Sequence, residues 1–232
     1  ALTDADSNVV VGYRALTTDT LGSKSVAIGD QALENQNFTT ATDTFNVAIG
    51  ASAGNQVTTG FNNTLIGGKA GDAITSGDNN VAVGVNALTG DTLGDRNVAI
   101  GAAALASQNF TTSTDVYNVG VGYLAGYAVT TGIFNTLVGG LTGDSITTGD
   151  FNVAVGGAAL DSETAGNNSV AIGTSALTNS NLTTDSNSYN VAVGSNAGQN
   201  VTTGIENTLM GGVAGDSLTD ADYNVAIGTS AL

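Results

Sequence analysis

Short runs of apolar residues recur along the chain at regular intervals, and each run ends in glycine. The run has the form Asn-Val-Ala-Ile/Val-Gly, with minor variations, and it occurs thirteen times. Successive runs are 17, 21, 17 and 17 residues apart, and these four intervals repeat to give a 72-residue super-repeat. Such a period is typical of solenoid proteins, in which each repeat forms one structural unit. The runs begin at Asn8, Ser25, Asn46, Asn63, Asn80, Asn97, Asn118, Asn135, Asn152, Ser169, Asn190, Asn207 and Asn224.

Each run predicts a β-strand that is apolar on both faces. Val47 and Ile49 are two residues apart and share one face of a strand, whereas Ala48 points to the other face. The runs are rich in β-branched residues, and five residues are too few for a helix. An array of βαβ units is the alternative, but no interval has room for a capped helix. We therefore predict an all-β fold, a parallel β-solenoid of about thirteen coils, with the motif glycines at left-handed or tight corners.

The second half of the coil comes in two kinds. Eight residues after the motif start, seven coils have Leu and six have Gly. The Gly coils carry a further apolar residue three positions later, which we expect to replace the missing Leu volume. Each 21-residue coil has four extra residues, and the segments 37–45, 109–117 and 181–189 should bulge as a row of loops. The apolar replacements are Val57, Ile74, Val129, Ile146, Val201 and Leu218.

The period covers the whole chain. Leu2 aligns with Ile74, so the first residues already belong to a coil. Residues 1–232 are therefore predicted to form a single repeat array. Neither end has the polar cap that a free-standing array needs, and we expect a segment of a longer fibre.

The Asn that opens the motif has two interpretations. Identical amides stacked about 4.8 Å apart can hydrogen-bond along the stack as a ladder. Alternatively, Asn is simply a turn residue that tolerates unusual backbone angles.

A strand that is apolar on both faces needs cover on both faces. One face can line the coil interior, and the other can meet another subunit, so we expect self-association. Aromatic residues just before the motif would lie at the edge of that interface, or would merely cover glycine-rich backbone. They are Phe45, Tyr117, Phe134, Phe151, Tyr189 and Tyr223.

The composition excludes several function classes. Only 4 residues are basic and 20 are acidic, for a net charge of −16, which leaves no surface for nucleic-acid phosphates. Without Cys or His there is no thiolate or imidazole metal site and no histidine-based catalysis. No apolar stretch reaches the ~18 residues of a membrane span. We expect no cofactor, no membrane insertion and no enzymatic activity.

Three polar patterns are candidate sites. Asp161 with Glu163, or Asp220 with Asp222, could form a glycosidase carboxylate pair, although no aromatic groove residue lies beside either pair. Thr doublets at 58–59, 130–131 and 202–203 could bind ice, but they recur mainly every fourth coil. Recurring carboxylates could bind calcium, or could be solvated turn acids that discourage aggregation. These candidates are Asp72, Asp78, Asp144, Asp150, Asp216 and Asp222.

The motif resembles that of a known family. The segments 46–53 (Asn-Val-Ala-Ile-Gly-Ala-Ser-Ala) and 169–176 (Ser-Val-Ala-Ile-Gly-Thr-Ser-Ala) are similar to the head repeats of YadA-like trimeric autotransporter adhesins. The resemblance covers all thirteen coils and implies a left-handed β-roll packed as a homotrimer. Related repeats occur in phage fibres and other extracellular filaments. Two features depart from the family: the period here is longer, and the chain contains no neck, stalk or anchor segment.

The resemblance and the repeat together predict a structural role. We expect a rigid trimeric rod in an extracellular fibre or adhesin head, at a bacterial cell surface or on a virion. The competing function is binding of a host receptor or glycan through the row of loops, with a pure spacer as the opposite possibility. Candidate binding residues in and after the loops are Phe38, Phe45, Phe110, Tyr117, Leu182 and Tyr189.

Overall fold

Residues 5–232 of the computed structural model form strands and turns without any helix, and Leu2 lies outside this described range. The chain divides into two units, residues 1–117 (unit 1) and 118–232 (unit 2). Each unit is a stack of coils, and successive motif strands pair in parallel. In every pair the motifs are in register, as in Val47 with Thr64, Ala48 with Leu65 and Ile49 with Ile66. The predicted parallel β-solenoid is thus confirmed.

Unit 1 contains six motif strands and four short strands. The motif strands pair in the order β1, β3, β5, β6, β7, β9, while β2 pairs with β4 and β8 with β10. The strands are β1 (Val9–Val11), β2 (Gly22–Ser23), β3 (Val26–Ile28), β4 (Thr42–Asp43), β5 (Val47–Ile49), β6 (Thr64–Ile66), β7 (Val81–Val83), β8 (Gly94–Asp95), β9 (Val98–Ile100) and β10 (Thr114–Asp115).

Unit 2 contains seven motif strands and two short ones. The motif strands pair in the order β11, β12, β13, β15, β17, β18, β19, and β14 pairs with β16. The strands are β11 (Val119–Val121), β12 (Thr136–Val138), β13 (Val153–Val155), β14 (Gly166–Asn167), β15 (Val170–Ile172), β16 (Ser186–Asn187), β17 (Val191–Val193), β18 (Thr208–Met210) and β19 (Val225–Ile227).

The motif glycine forms the corner after each motif strand, as predicted. Gly50 has φ +140°, a conformation that is essentially restricted to glycine. A Cβ atom there would also lie 2.5 Å from the carbonyl oxygen of Gly67 in the next coil. Backbone angle and close stacking therefore both require glycine at this corner.

The coil interior is filled by the middle residue of each strand and by the second half of the coil. Ala48, Leu65 and Val57 are fully buried. A Cβ atom on Gly54 would lie 2.7 Å from Leu65 Cδ1 and 3.3 Å from Val57 Cγ2. The predicted replacement of Leu volume by Val57 is confirmed, and Leu65 and Leu33 also occupy this space.

The motif Asn residues join neighbouring coils through their side chains. Asn63 Oδ1 accepts the N–H of Asn80 at 2.9 Å, and its Nδ2 donates to the carbonyl of Gly77 at 2.8 Å. The amide thus bonds the backbone of the next coil, and direct amide-to-amide bonds join only a few pairs, such as Asn97 to Asn80. The turn interpretation is wrong, because the left-handed residue is the one before Asn, for example Asn62 with φ +58°.

A buried carboxylate occurs once in every super-repeat, at equivalent positions that also accommodate Val57 and Ile74. Asp19, Asp91 and Glu163 are completely shielded from solvent. Asp91 accepts the N–H groups of Gly94 (3.1 Å) and Phe110 (3.2 Å) and a bond from Gln108 Nε2 (2.5 Å). Because charged acceptors with several donors are tolerated inside proteins, this network can keep an acid in the core.

Candidate functional site

The outward side chains of the motif strands form an apolar surface, which we call the aliphatic face. It comprises the first and third residues of each motif strand, such as Val81 and Val83 in unit 1 and Val170 and Ile172 in unit 2. These positions hold only Val, Ile, Thr and one Met, and none of the chain's 24 charged residues. Ile100 and Ile172 are each 39% exposed, so the face is open to solvent in the isolated chain.

The size of the aliphatic face is that of a protein interface. Unit 1 contributes 12 such positions and unit 2 contributes 14. At roughly 50 Å² of accessible area per side chain, each unit exposes roughly 600–700 Å², close to the ~800 Å² that one partner contributes to a stable interface. Exposed apolar patches of this size mark binding surfaces in soluble proteins.

A column of exposed planar side chains lies just before the motif strands, and we call it the ring column. Phe45, Tyr117 and Tyr189 are 43–52% exposed and adopt left-handed backbone angles. Lys24 Nζ lies 5.1 Å from the ring centre of Phe45 and forms an ion pair with Asp43. In unit 2 the rings of Phe134 and Phe151 stack at 5.1 Å. The rings therefore contact neighbouring coils along the column.

The rings that follow the second and third loops, Tyr117 and Tyr189, also contact polar side chains. At Tyr117 a cation again lies near the ring and pairs with an acid, as Lys24 does beside Phe45. Arg96 Cζ lies 5.7 Å from the ring centre of Tyr117, and the same guanidinium pairs with Asp115. At the third site two amides replace the ion pair. Asn168 Nδ2 donates to Asn187 Oδ1 at 2.8 Å, and Asn187 Nδ2 donates to Tyr189 Oη at 2.9 Å.

The extra residues of the 21-residue coils do form loops, but their large side chains point inward. Phe38 and Phe110 are 7–8% exposed, and Leu182 is half-buried. The exposed tops of the loops are residues 39–41, 111–113 and 183–185, which are mainly threonines. After each loop a short strand such as β4 resumes pairing with the preceding coil. The loops themselves therefore present hydroxyl groups, whereas the exposed rings belong to the ring column.

The candidate calcium ligands are spread over the coils. Among residues 5–232 no three acidic side chains lie close enough to hold a metal ion together. The carboxylates of Asp78, Asp150 and Asp222 each accept a backbone N–H from the preceding coil at 2.8–2.9 Å. Asp72 accepts the hydroxyl of Thr89, and Asp216 accepts the Asn200 amide through its backbone carbonyl. These contacts give the residues structural partners within the solenoid.

The carboxylates considered for glycoside hydrolysis do not face one another. Glu163 is buried and accepts the N–H groups of Gly166 and Leu182, both at 2.9 Å. Asp161 instead forms a hydrogen-bonded pair with Asp144 on the solvent side. Burial, followed by this bond and the charge of Asp144, raises the pKa of Asp161 to about 6. The two acids thus share a proton below about pH 6.

We predict that Asp161→Thr raises stability at pH 7.5 but not at pH 4.5. The raised pKa means that Asp161 holds its proton in the folded chain at a pH where the unfolded chain has lost it. Its stabilising contribution is full below about pH 4 and is lost as the pH rises through about 6. Thr copies Thr89, which bonds Asp72 at the equivalent place. Because the pair is partly exposed, the gain should be below about 1 kcal/mol.

Denaturant midpoints at the two pH values would test this prediction. An equal change at both pH values would show that the proton of Asp161 is irrelevant.

Burial also raises the pKa of Asp78, Asp91 and Asp150, so the wild-type chain should itself lose stability between pH 4 and pH 7.

Threonine hydroxyls form a further inter-coil column in each unit. Thr58 Oγ1 donates to the carbonyl of Thr75, and Thr75 Oγ1 to that of Thr92, both at 3.1 Å. The neighbouring position varies from Leu21 to Ser76 to Asp220. The hydroxyls are therefore bonded within the protein, and within residues 5–232 they are not part of a two-dimensional threonine lattice.

None of the described residues belongs to a helix that could cross a membrane. Comparison of the chain with models of protein families, with curated proteins and with solved structures gives no match.

Proposed function

We propose that this protein is a structural module of an extracellular fibre or adhesin head, in which three copies associate as a rigid rod of left-handed coils. The observation that carries the proposal is the uncharged aliphatic face, which is solvent-exposed in the isolated chain and has the area of a stable interface. Its burial would add apolar contacts to coils that contain few large side chains. The role is non-catalytic.

Identical copies suit this face better than an unrelated partner. A net charge of −16 makes copies of the chain repel one another, and the aliphatic face carries none of that charge. Its side chains also recur at the spacing of the coils, six times in unit 1 and seven times in unit 2. A second copy of the same face offers the same spacing, so side chains can interdigitate coil by coil.

Receptor or glycan binding is the second candidate function. The exposed rings of Phe45, Tyr117 and Tyr189 favour it, because aromatic rings are common in recognition surfaces. Each ring follows a loop and would lie beside its hydroxyl-rich top. Such binding would belong to an adhesin at a bacterial surface or to a fibre on a virion.

Light scattering over a dilution series tests the main proposal. We expect a concentration-independent mass near three times 22.7 kDa. A folded monomer at every concentration would exclude the trimeric rod. In that case the aliphatic face would have to bind something other than a copy of the chain.

A further inference from the structure

A small, open polar pocket in unit 1 shares no residue with the aliphatic face or the ring column, and we call it the corner pocket. It has a volume of about 270 Å³ and is lined by residues of four successive coils, among them Gln31, Ser52, Gln56, Lys69 and Asp72. None of these residues is in a motif strand. The volume is at the small end of ligand sites, which suits one sugar-sized molecule.

The lining offers both donors and acceptors. Within residues 5–232, Lys69 Nζ and Ser52 Oγ bond no protein atom, which leaves an ammonium and a hydroxyl free to donate. Gln31 Nε2 donates to Glu34 at 2.8 Å, and Gln56 Nε2 donates to Asn55 Oδ1 at 2.6 Å. These bonds fix the two amides and leave their Oε1 atoms as acceptors. Mixed donors and acceptors at short range match a ligand with many hydroxyl groups.

The charges of the pocket lining and of the whole chain favour a neutral ligand. The pocket contains one ammonium, Lys69, and one carboxylate, Asp72, so its lining is neutral overall. The net charge of −16 repels acidic ligands from the chain as a whole. A neutral saccharide therefore fits better than an acidic one.

The super-repeat supplies a comparison inside the chain itself. The positions of Ser52 and Lys69 are occupied by Leu124 and Leu141 in the second super-repeat and by Asn196 and Val213 in the third. All six residues have φ between +52° and +57°. The backbone thus accepts apolar side chains at these positions, and the polar lining of the corner pocket is not a requirement of the fold.

We propose that the corner pocket binds a neutral saccharide, with Lys69 Nζ and Ser52 Oγ donating to its hydroxyl oxygens and the Gln31, Gln56 and Asp72 oxygens accepting from its hydroxyl groups. Asp72 already accepts the hydroxyl of Thr89, which orients the carboxylate for this role. The site does not depend on self-association, since it uses residues of unit 1 alone and no residue of the aliphatic face.

Ligand-observed NMR with the intact chain tests the proposal. The probes are the methyl glycosides of glucose, galactose, mannose and N-acetylglucosamine, with glucuronic acid as the acidic comparison. We expect at least one neutral glycoside to bind with millimolar affinity and glucuronic acid to bind more weakly. Lys69→Val and Ser52→Leu should each weaken that binding by at least ~10-fold, because each removes a donor and leaves the ligand group unpaired.

Two controls separate the possible outcomes. Asn196→Leu makes the substitution at the third-repeat equivalent of Ser52 and should leave binding unchanged. Phe45→Ala removes a ring of the ring column and should also leave it unchanged. Binding that survives Lys69→Val, or that is lost in Phe45→Ala, overturns the proposal, as does the absence of binding by all four glycosides. Light scattering on the same samples reports self-association separately.

Discussion

A lysine on an interior strand of the aliphatic face in each unit is expected to convert the proposed trimer into monomers. Val83 in unit 1 and Val155 in unit 2 are outward residues of interior strands, so the double variant Val83→Lys/Val155→Lys leaves the coil interior unchanged. In an assembly each copy would bury two ammonium groups without partners. A buried unpaired charge costs several kcal/mol, which is enough to dissociate an interface of this size.

Light scattering and circular dichroism would be measured together on this variant. The mass should fall to about 22.7 kDa while the β-sheet signal remains. Thr59→Lys/Thr131→Lys is the matched control, since it adds the same charge at exposed positions outside the face. If the Val83→Lys/Val155→Lys protein keeps the wild-type mass, another surface mediates association and the aliphatic face loses its proposed role.

Substitutions at the buried residues Glu163 and Ser180 are expected to be strongly coupled in their effects on the free energy of unfolding. Asp91 pairs with Gln108, whereas the equivalent Glu163 pairs with Ser180 through a 2.8 Å bond. The longer acid thus meets the shorter partner, and both arrangements fill the same space. Glu163→Asp alone should cost about 2 kcal/mol through the lost charged hydrogen bond, and Ser180→Gln alone about 2 kcal/mol through overpacking.

The double variant Glu163→Asp/Ser180→Gln recreates the pair of the second super-repeat. It should unfold within about 1 kcal/mol of wild type, so the coupling energy would be about 3 kcal/mol. Denaturant unfolding of the four proteins measures this cycle. Glu206→Asp/Ser217→Gln makes the same chemical changes at exposed positions and should stay within about 0.5 kcal/mol. Additive single effects would show that the two buried residues do not form one unit.

The apolar part of the fold was predictable because its signals repeat thirteen times. Val47 and Ile49 are two residues apart and share one strand face, and Ala48 lies on the other. Gly50 ends the strand with a backbone angle that glycine alone adopts readily. The replacement of Leu by a later apolar residue could also be foreseen, since it follows from conservation of volume in the core. The outward exposure of Val47 and Ile49 could not, because both strand faces are equally apolar.

The polar core escaped prediction for a different reason. Asp and Gln are usually solvated, so Asp19 and Gln36 gave no sign of burial by their type. Their burial could have been predicted from their place in the repeat, since both align with the apolar residues Val57 and Ile74 of other coils. Phe38 and Phe110 were expected on exposed loops but are buried, because a large ring at the start of a loop gains more from packing beneath it. The corner pocket could not be foreseen, as its residues come from four coils.

The hydrogen bonds between coils have a mechanical consequence. Val47 donates to Asn63 and Val26 to Asn46, and other inter-coil bonds likewise connect a coil with its neighbours. A pull along the stack therefore loads the coils in series, and the terminal coil yields before those behind it. Each released coil of 17 residues would supply roughly 55–60 Å of slack when extended. A stack of these coils would therefore lengthen in steps under a sudden load, while the remaining coils stay folded.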